Sequence, residues 1–272
     1  PIASASLMVL ILGLMASCPI AFGFVGSAKG KAGDNDGLER GRPLPTPRAL
    51  RVVRAVGASW GTCLLALSYH EYGCWPMVAF TMQSWALMTV RYFLGMIDVY
   101  DEGCSSLTGW RRAVSRLNEA LRFPCLVQNS ITVIVWWLVL VPIIWIQYCT
   151  DANRRAGFYN FNMSFNLLNF HLFNLPLAAV DHLLCPRRLL PSDLWLAVAF
   201  ATAYVLFYLS HLDPQGIHLY IFLSPRTKLL FMSLASIVAC YVGLHRVWDK
   251  AAQLALEYRS RALEIEPAVA RA

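Results

Sequence analysis

Apolar residues fall in long uninterrupted blocks along this chain, separated by short polar segments. Stretches without Lys, Arg, Asp or Glu run Pro1–Ala28, Ala55–His70, Tyr72–Val90, Phe123–Thr150, Ala156–Val180, Leu194–Leu212 and Leu229–His245. A helix needs about 20 apolar residues to cross a bilayer, and most of these blocks are long enough. No ten-residue alternating pattern suggests a barrel, so helices must satisfy the backbone in lipid. The blocks predict helices over 2–25, 52–70, 76–97, 124–148, 162–184, 193–211 and 228–245. The fold class that follows is an all-α integral membrane protein. It has a six-helix transmembrane core, an extra N-terminal transmembrane helix and an amphipathic C-terminal helix.

Three regions follow from this pattern. Residues 1–48 hold the first hydrophobic segment and a Gly/Pro-rich linker, in which Pro43, Pro45 and Pro47 require extended chain. Residues 49–246 form the polytopic domain. In residues 247–272, Val247, Leu254 and Leu256 interleave with Lys250, Glu257, Arg259 and Arg261, as in an amphipathic helix continuing from the last crossing. That helix is either a solvated tail or a docking surface for another membrane subunit. The chain begins at Pro1 rather than Met, which is what removal of an organellar transit peptide would leave.

Charge sharpens the topology. With these helices, seventeen basic residues fall on one side of the membrane, including Arg111, Arg112, Arg116, Arg122, Arg187 and Arg188. Only Arg154, Arg155, Arg226 and Lys228 fall on the other. The positive-inside rule then places the C-terminal tail in the cytosol, or in the matrix or stroma of an organelle. We favour an organellar inner membrane, mitochondrial first, over the endoplasmic reticulum or plasma membrane. The net charge of +7 is accounted for by these flanks. No RNP, helix-turn-helix or zinc-finger pattern points to nucleic acid. Composition agrees: 57% of residues are hydrophobic, 14% are charged, and the mean hydropathy is +0.50. The eight cysteines form no CxxC pair and no zinc spacing, and read as small apolar thiols. No metal or other cofactor is implied, and the bound species expected are membrane lipids.

Chemistry concentrates in the block Ala156–Val180. His171 lies within it, and an ionisable group at that depth is either partnered inside the bundle or used in a reaction. It is followed by Pro176 and Asp181. One reading makes His171 a structural side chain bonded to Asn or Thr on a facing helix. Asp181 lies near the basic side, as do Arg54 and Arg91, so a buried ion pair with one of them satisfies it. Asn160, Asn162, Asn166, Asn169 and Asn174 can bond helices together or line a polar cavity. His211 and His218 flank a short loop on the opposite side and, with Asn169, are candidate ligand-binding residues.

The spacing His171, Pro176, Asp181 resembles the androgen-induced protein family of membrane hydrolases. In that family the pattern is Asn-His-x-x-His-Thr, with Pro five residues on and Glu five further. Other matches follow in order: Phe123-Pro124 opening a helix that reaches Trp136-Trp137, then Tyr204, then Gly216-x-x-x-Tyr220-x-x-Leu223. The resemblance spans about Leu50 to Lys250. It implies a hydrolase of fatty acid esters of hydroxy fatty acids, with a Thr nucleophile on an early helix and His171 as its base. Such a hydroxyl is a poor nucleophile until a base takes its proton, and His is suited to that role near neutral pH. Thr81, which follows Phe80, is the matching Thr. Depth at about 1.5 Å per residue puts Thr81 about 8 Å, Ser84 about 12 Å and His171 about 14 Å from the less basic side, so Ser84 fits slightly better. The chain departs from the pattern at Leu168, Leu172, His218 and Ile221. These changes remove polar neighbours that orient a catalytic His.

Two functions are therefore expected. The first is a non-catalytic accessory subunit of a larger membrane complex, built on a degenerate hydrolase fold. The second is a working hydrolase that uses Thr81 or Ser84 with His171. A transporter is disfavoured, because no inverted repeat or pair of broken helices is evident.

Overall fold

The computed structural model describes residues 48–97, 109–217, 219–220 and 223–269, with side chains over 49–261 of these. The expected N-terminal helix and linker, and His218, lie outside the described residues. Among the described residues every regular element is helical, and no strand occurs.

The chain enters α1 (Arg48–Tyr72), makes a short 3-10 turn (Trp75–Val78) and returns along α2 (Phe80–Ile97). It then runs through α3 (Gly109–Ala120), α4 (Arg122–Ile134), a π-helical turn (Val135–Leu140) and α5 (Val141–Gln147). The next elements are α6 (Ala152–Asn162), α7 (Phe165–Leu168), a second π-helical turn (Asn169–Phe173) and α8 (Asn174–Leu184). Finally come α9 (Pro191–Phe207), a third π-helical turn (Tyr208–Leu212), a 3-10 turn (Asp213–Gln215) and α10 (Leu230–Val269).

Four of these rods are long and apolar enough to cross a membrane: Ala49–Tyr72, Gly109–Gln147, Pro191–Gln215 and Leu230–Arg261. Their outward faces are apolar, with Leu138 72%, Ile146 76% and Phe231 81% exposed. Exposed apolar faces of this extent suit lipid. The chain is thus built as an integral membrane protein. α2 and the α7–α8 run pack among these rods and carry much of the buried polar chemistry.

Helix boundaries depart from the expected ones in two informative places. The segment 109–120, expected as a basic loop, is helical and leads into α4. Its basic residues sit on one exposed face, while Asn118 is buried beneath. The expected helix over 162–184 starts only at Phe165. Ser164 caps it, accepting a hydrogen bond from the Leu167 amide at 3.4 Å, and α6 forms a separate helix before it. The C-terminal segment continues the last crossing without a break, as its pattern predicts.

The α1–α2 contact is set by small residues. A Cβ on Gly57 would lie 2.3 Å from the Tyr92 ring, and one on Gly61 would lie 2.1 Å from Thr89 Oγ1. The two backbones approach closely because both side chains are absent, as at small-residue membrane interfaces. Beside this contact a core of Leu64, Trp85, Met88, Tyr92, Cys125 and Leu126 joins α1, α2 and α4. Phe123, Val127 and Tyr241 join α4 to α10.

Candidate functional site

The α7–α8 run connects two buried sites. At its α8 end, Asp181 is fully buried and takes Arg54 Nε at 2.8 Å on one oxygen and Arg91 Nη1 on the other. Arg54 also donates to the Gly95 carbonyl at 2.9 Å. The sequence predicts a pair with one arginine, and the structure provides both. A single buried carboxylate between two buried guanidiniums is held by charge and by hydrogen bonds, and removing it would strand two cations. A second ionic cluster lies on the same side. Glu119 receives Arg122 Nη2 at 2.5 Å and Arg187 Nε at 2.8 Å. Arg187 also clasps Asp193 in a bidentate pair at 2.8 and 2.9 Å. Arg188 grips Asp249 in the same way at 2.8 and 2.7 Å, tying the α8–α9 loop to α10. That paired carboxylate raises the Arg188 guanidinium above its ordinary value.

At the other end, His171 lies in the π-helical turn between α7 and α8. Its Nε2 is 3.4 Å from Thr81 Oγ1, in the first turn of α2. The imidazole stacks on Trp136, with ring centroids 4.0 Å apart and planes 23° from parallel. Trp137 Nε1 donates to the His171 carbonyl at 2.8 Å. Trp136 and Trp137 themselves lie in the π-helical turn after α4, so two wide turns meet around this histidine. Such turns recur at functional sites because they redirect side chains that a regular helix would point elsewhere. His171 Nδ1 is buried and makes no hydrogen bond of good geometry. Among the described residues no carboxylate bonds the ring.

Thr81 and His171 face a cavity of about 650 Å³. Its wall is mostly apolar, from Phe80, Ile131, Val135, Phe170, Val205 and Ile237 among others. Small-molecule sites typically span about 300–1,000 Å³, so this one is large enough for an extended acyl chain.

Local structure explains which hydroxyl meets His171. Ser84 is fully buried but donates to the Phe80 carbonyl at 2.9 Å, one turn back, and does not line the cavity. Depth alone favours Ser84, and the structure corrects that choice to Thr81. Thr81 sits at the start of the helix, preceded by a 3-10 turn and Ala79. There no regular helical carbonyl one turn back captures its hydroxyl, as one captures Ser84.

The other ligand-binding candidates lie elsewhere. Asn169 accepts from Trp60 Nε1 at 3.0 Å and donates to the Phe165 carbonyl at 2.8 Å, so its amide joins α1 to the α7–α8 run. It does not line the cavity. His211 is exposed, stacks on Phe207 and pairs through Nδ1 with Ser210 at 2.6 Å, also away from the cavity. Two of the remaining asparagines join helices: Asn162 takes Trp136 Nε1 at 3.1 Å, and Asn166, which also lines the cavity, donates to Glu71 at 3.3 Å. Among the described residues no cluster of His, Cys, Asp or Glu could hold a metal ion.

No family model, curated protein or solved structure matches this chain.

Two features of the site are not singled out by pattern alone. Glu119, Arg187 and Asp193 form one ionic network although they come from three separate segments, and only folding unites them. Tyr204 and Tyr220 belong to the motif string, yet nothing in the sequence places them on the cavity wall beside Thr81.

Proposed function

We propose that this chain is a membrane-embedded hydrolase of lipid esters, with Thr81 as nucleophile and His171 as its base. The observation that carries the reading is the Thr81 hydroxyl 3.4 Å from His171 Nε2, at the wall of an apolar cavity. A base within hydrogen-bond reach of a hydroxyl is the geometry nucleophilic catalysis requires, and such contacts are often long before substrate binds. Esters of fatty acids with hydroxy fatty acids suit the site, since the substrate lives in lipid and the cavity is apolar. The motif string from Phe123 to Leu223 resembles that of the androgen-induced hydrolases and supports this reading. On this reading α2 and the α7–α8 run complete a six-helix core, with the basic side facing the cytosol or an organellar matrix. A mitochondrial inner membrane is the first compartment to examine.

A fluorophosphonate probe applied to the protein in lipid nanodiscs tests this. The wild-type chain should be labelled at Thr81, and Thr81→Ala and His171→Ala should not be. An unlabelled wild-type chain with intact helicity and melting behaviour overturns the reading.

A second reading rests on a specific observation. His171 Nδ1 has no acidic partner, and the positions where polar neighbours would orient the ring are Leu168 and Leu172. That favours a non-catalytic accessory subunit that keeps the cavity for a structural lipid and docks other membrane subunits through α10. It expects an unlabelled chain that copurifies with those subunits.

A further inference from the structure

The cavity beside Thr81 and His171 has no fixed charge on its wall. Among the described residues that line it, none is Lys, Arg, Asp or Glu. Its polar groups are hydroxyls, the Asn166 amide, the Trp136 indole and the His171 imidazole. Several of these are already engaged: Ser164 caps α7, Trp136 donates to Asn162, and Tyr204 donates to the Val78 carbonyl at 3.1 Å. Groups of this kind can meet an ester oxygen, but they cannot balance an ion. An unpaired carboxylate moved from water into an apolar wall loses its hydration and is driven to take up a proton. Asp181, on the same helical run, shows the alternative: the fold sets two guanidiniums against that one buried carboxylate.

The rim gives an anion no better footing. Tyr72 and Phe161 line the cavity and are more than half exposed, which marks its open side. The charge next to Tyr72 is Glu71, whose carboxylate accepts from Asn166 Nδ2 of the cavity wall at 3.3 Å. The cations expected on this side of the membrane are placed otherwise. Arg154 pairs with Asp151 at 3.2 Å, and Arg226 faces Asp213 at 3.7 Å. Arg155 lies over the Trp145 ring and donates to the Cys149 carbonyl at 3.0 Å. None of them, nor Lys228, lines the cavity. A carboxylate set against His171 would hold the ring as imidazolium, and Thr81 would then have no base.

We propose that the site takes esters with no ionised group in either arm. Among esters of hydroxy fatty acids, these are the ones whose own carboxyl is itself esterified. The inference rests on the Thr81–His171 reading for the reaction, and on the cavity lining alone for the choice of ligand. In the overall hydrolysis, water gives its hydroxyl to the acyl carbon and its proton to the departing alcohol oxygen. The acid product then loses a proton to solvent. The lack of a cation that keeps an anionic ester out also favours release of this anionic product.

The test uses the full chain in lipid nanodiscs. Three esters differ only at the end remote from the scissile bond, which carries a methyl ester, a free carboxyl or a sulfonate. They are compared at equal mole fraction in the disc. At pH 7 the methyl ester should exceed the carboxyl form in kcat/KM by about 10²–10³-fold, the factor that opposes protonation of a carboxyl of ordinary acidity. Between pH 8 and pH 6 the carboxyl form should gain on the methyl ester by up to about tenfold per unit as pH falls. The sulfonate, which stays ionised, should gain nothing. Protonation of His171 slows all three alike and cancels in these ratios, and any effect of Glu71 on an anion appears equally in the sulfonate. Ether analogues of the three, which cannot be cleaved, should displace a fluorescent lipid from the cavity in the same order. A carboxyl or sulfonate form that is cleaved or bound as well as the methyl ester overturns the proposal, and turnover that depends on His171 leaves the Thr81–His171 reading standing. A wild-type chain that cleaves none of the esters and takes no fluorophosphonate overturns that reading, and the order of ether binding then decides the choice of ligand by itself.

Discussion

His171 and Asp181 lie ten residues and about 15 Å apart on one helical run, and their surroundings differ in kind. Asp181 is enclosed by two guanidiniums and does not line the cavity. His171 has one neutral hydroxyl, an aromatic ring on its face and an open apolar cavity. Both are ionisable groups inside a membrane protein, Asp181 fully buried and His171 half-buried, yet only one is chemically available. A titratable group earns a functional reading when its neighbours leave it an unfilled valence and room for a substrate. Where its neighbours satisfy it completely, it holds the bundle together.

Breaking the cavity end should give the largest effect. His171→Ala should reduce ester turnover by roughly 10²–10⁴-fold, the usual contribution of a general base, with no comparable loss of melting temperature. Turnover and thermal unfolding measured on the same nanodisc sample check this. A variant that loses stability in step with activity would erase the contrast between the two ends.

The charged end should fail in the opposite manner. Asp181→Asn leaves Arg54 and Arg91 buried without their carboxylate and should destabilise the chain by about 3–5 kcal/mol. Denaturant titration in mild detergent reads this, and the fraction that stays folded should still label at Thr81.

Between the two ends, Gly57→Ala forces a methyl against the Tyr92 ring and should cost about 1–3 kcal/mol by overpacking. If α1 and α2 separate to admit it, both the Arg54–Asp181 contact and the cavity wall at Thr81 shift. Stability and labelling rate should then fall together.

Trp137→Phe removes the bond to the His171 carbonyl along with part of the ring, and the lost bond alone should cost about 0.5–1.5 kcal/mol. Its labelling rate reports how much of the His171 orientation comes from the π-helical turn rather than from a side-chain partner. Arg188→Ala should have the smallest effect, within about 1 kcal/mol. The Arg188 side chain is 49% exposed, and solvent screens its pair with Asp249.

Much of the fold was legible because lipid imposes a coarse rule on composition. Uncharged blocks marked the long rods, and the mixed pattern after Arg246 marked a helix that does run on from the last crossing. The ion pair at Asp181 was also legible, since a carboxylate near the basic side needs a cation and few are at hand. The choice between Thr81 and Ser84 was not. Depth along an ideal helix placed Ser84 nearer to His171, but depth takes no account of hydroxyls captured by their own backbone. It also takes no account of π-helical turns, which change the direction of every side chain they contain. Asn169 and His211 looked like ligand contacts because polar groups in apolar runs attract attention. In the fold, Asn169 is spent on Trp60, and His211 faces outward beside Ser210.

By itself the sequence determined a helical membrane protein, an uneven distribution of basic residues, and the presence of His171, Thr81 and Asp181 within reach of a bundle interior. These follow from local composition and from the hydropathy of about twenty residues at a time, which no later folding event can change. Only the tertiary structure decided that Thr81 rather than Ser84 meets the imidazole, that one carboxylate serves two arginines, and that a cavity opens beside Thr81 and His171. Those outcomes depend on angles and distances between segments 90 to 127 residues apart. Distance along the chain carries no record of them.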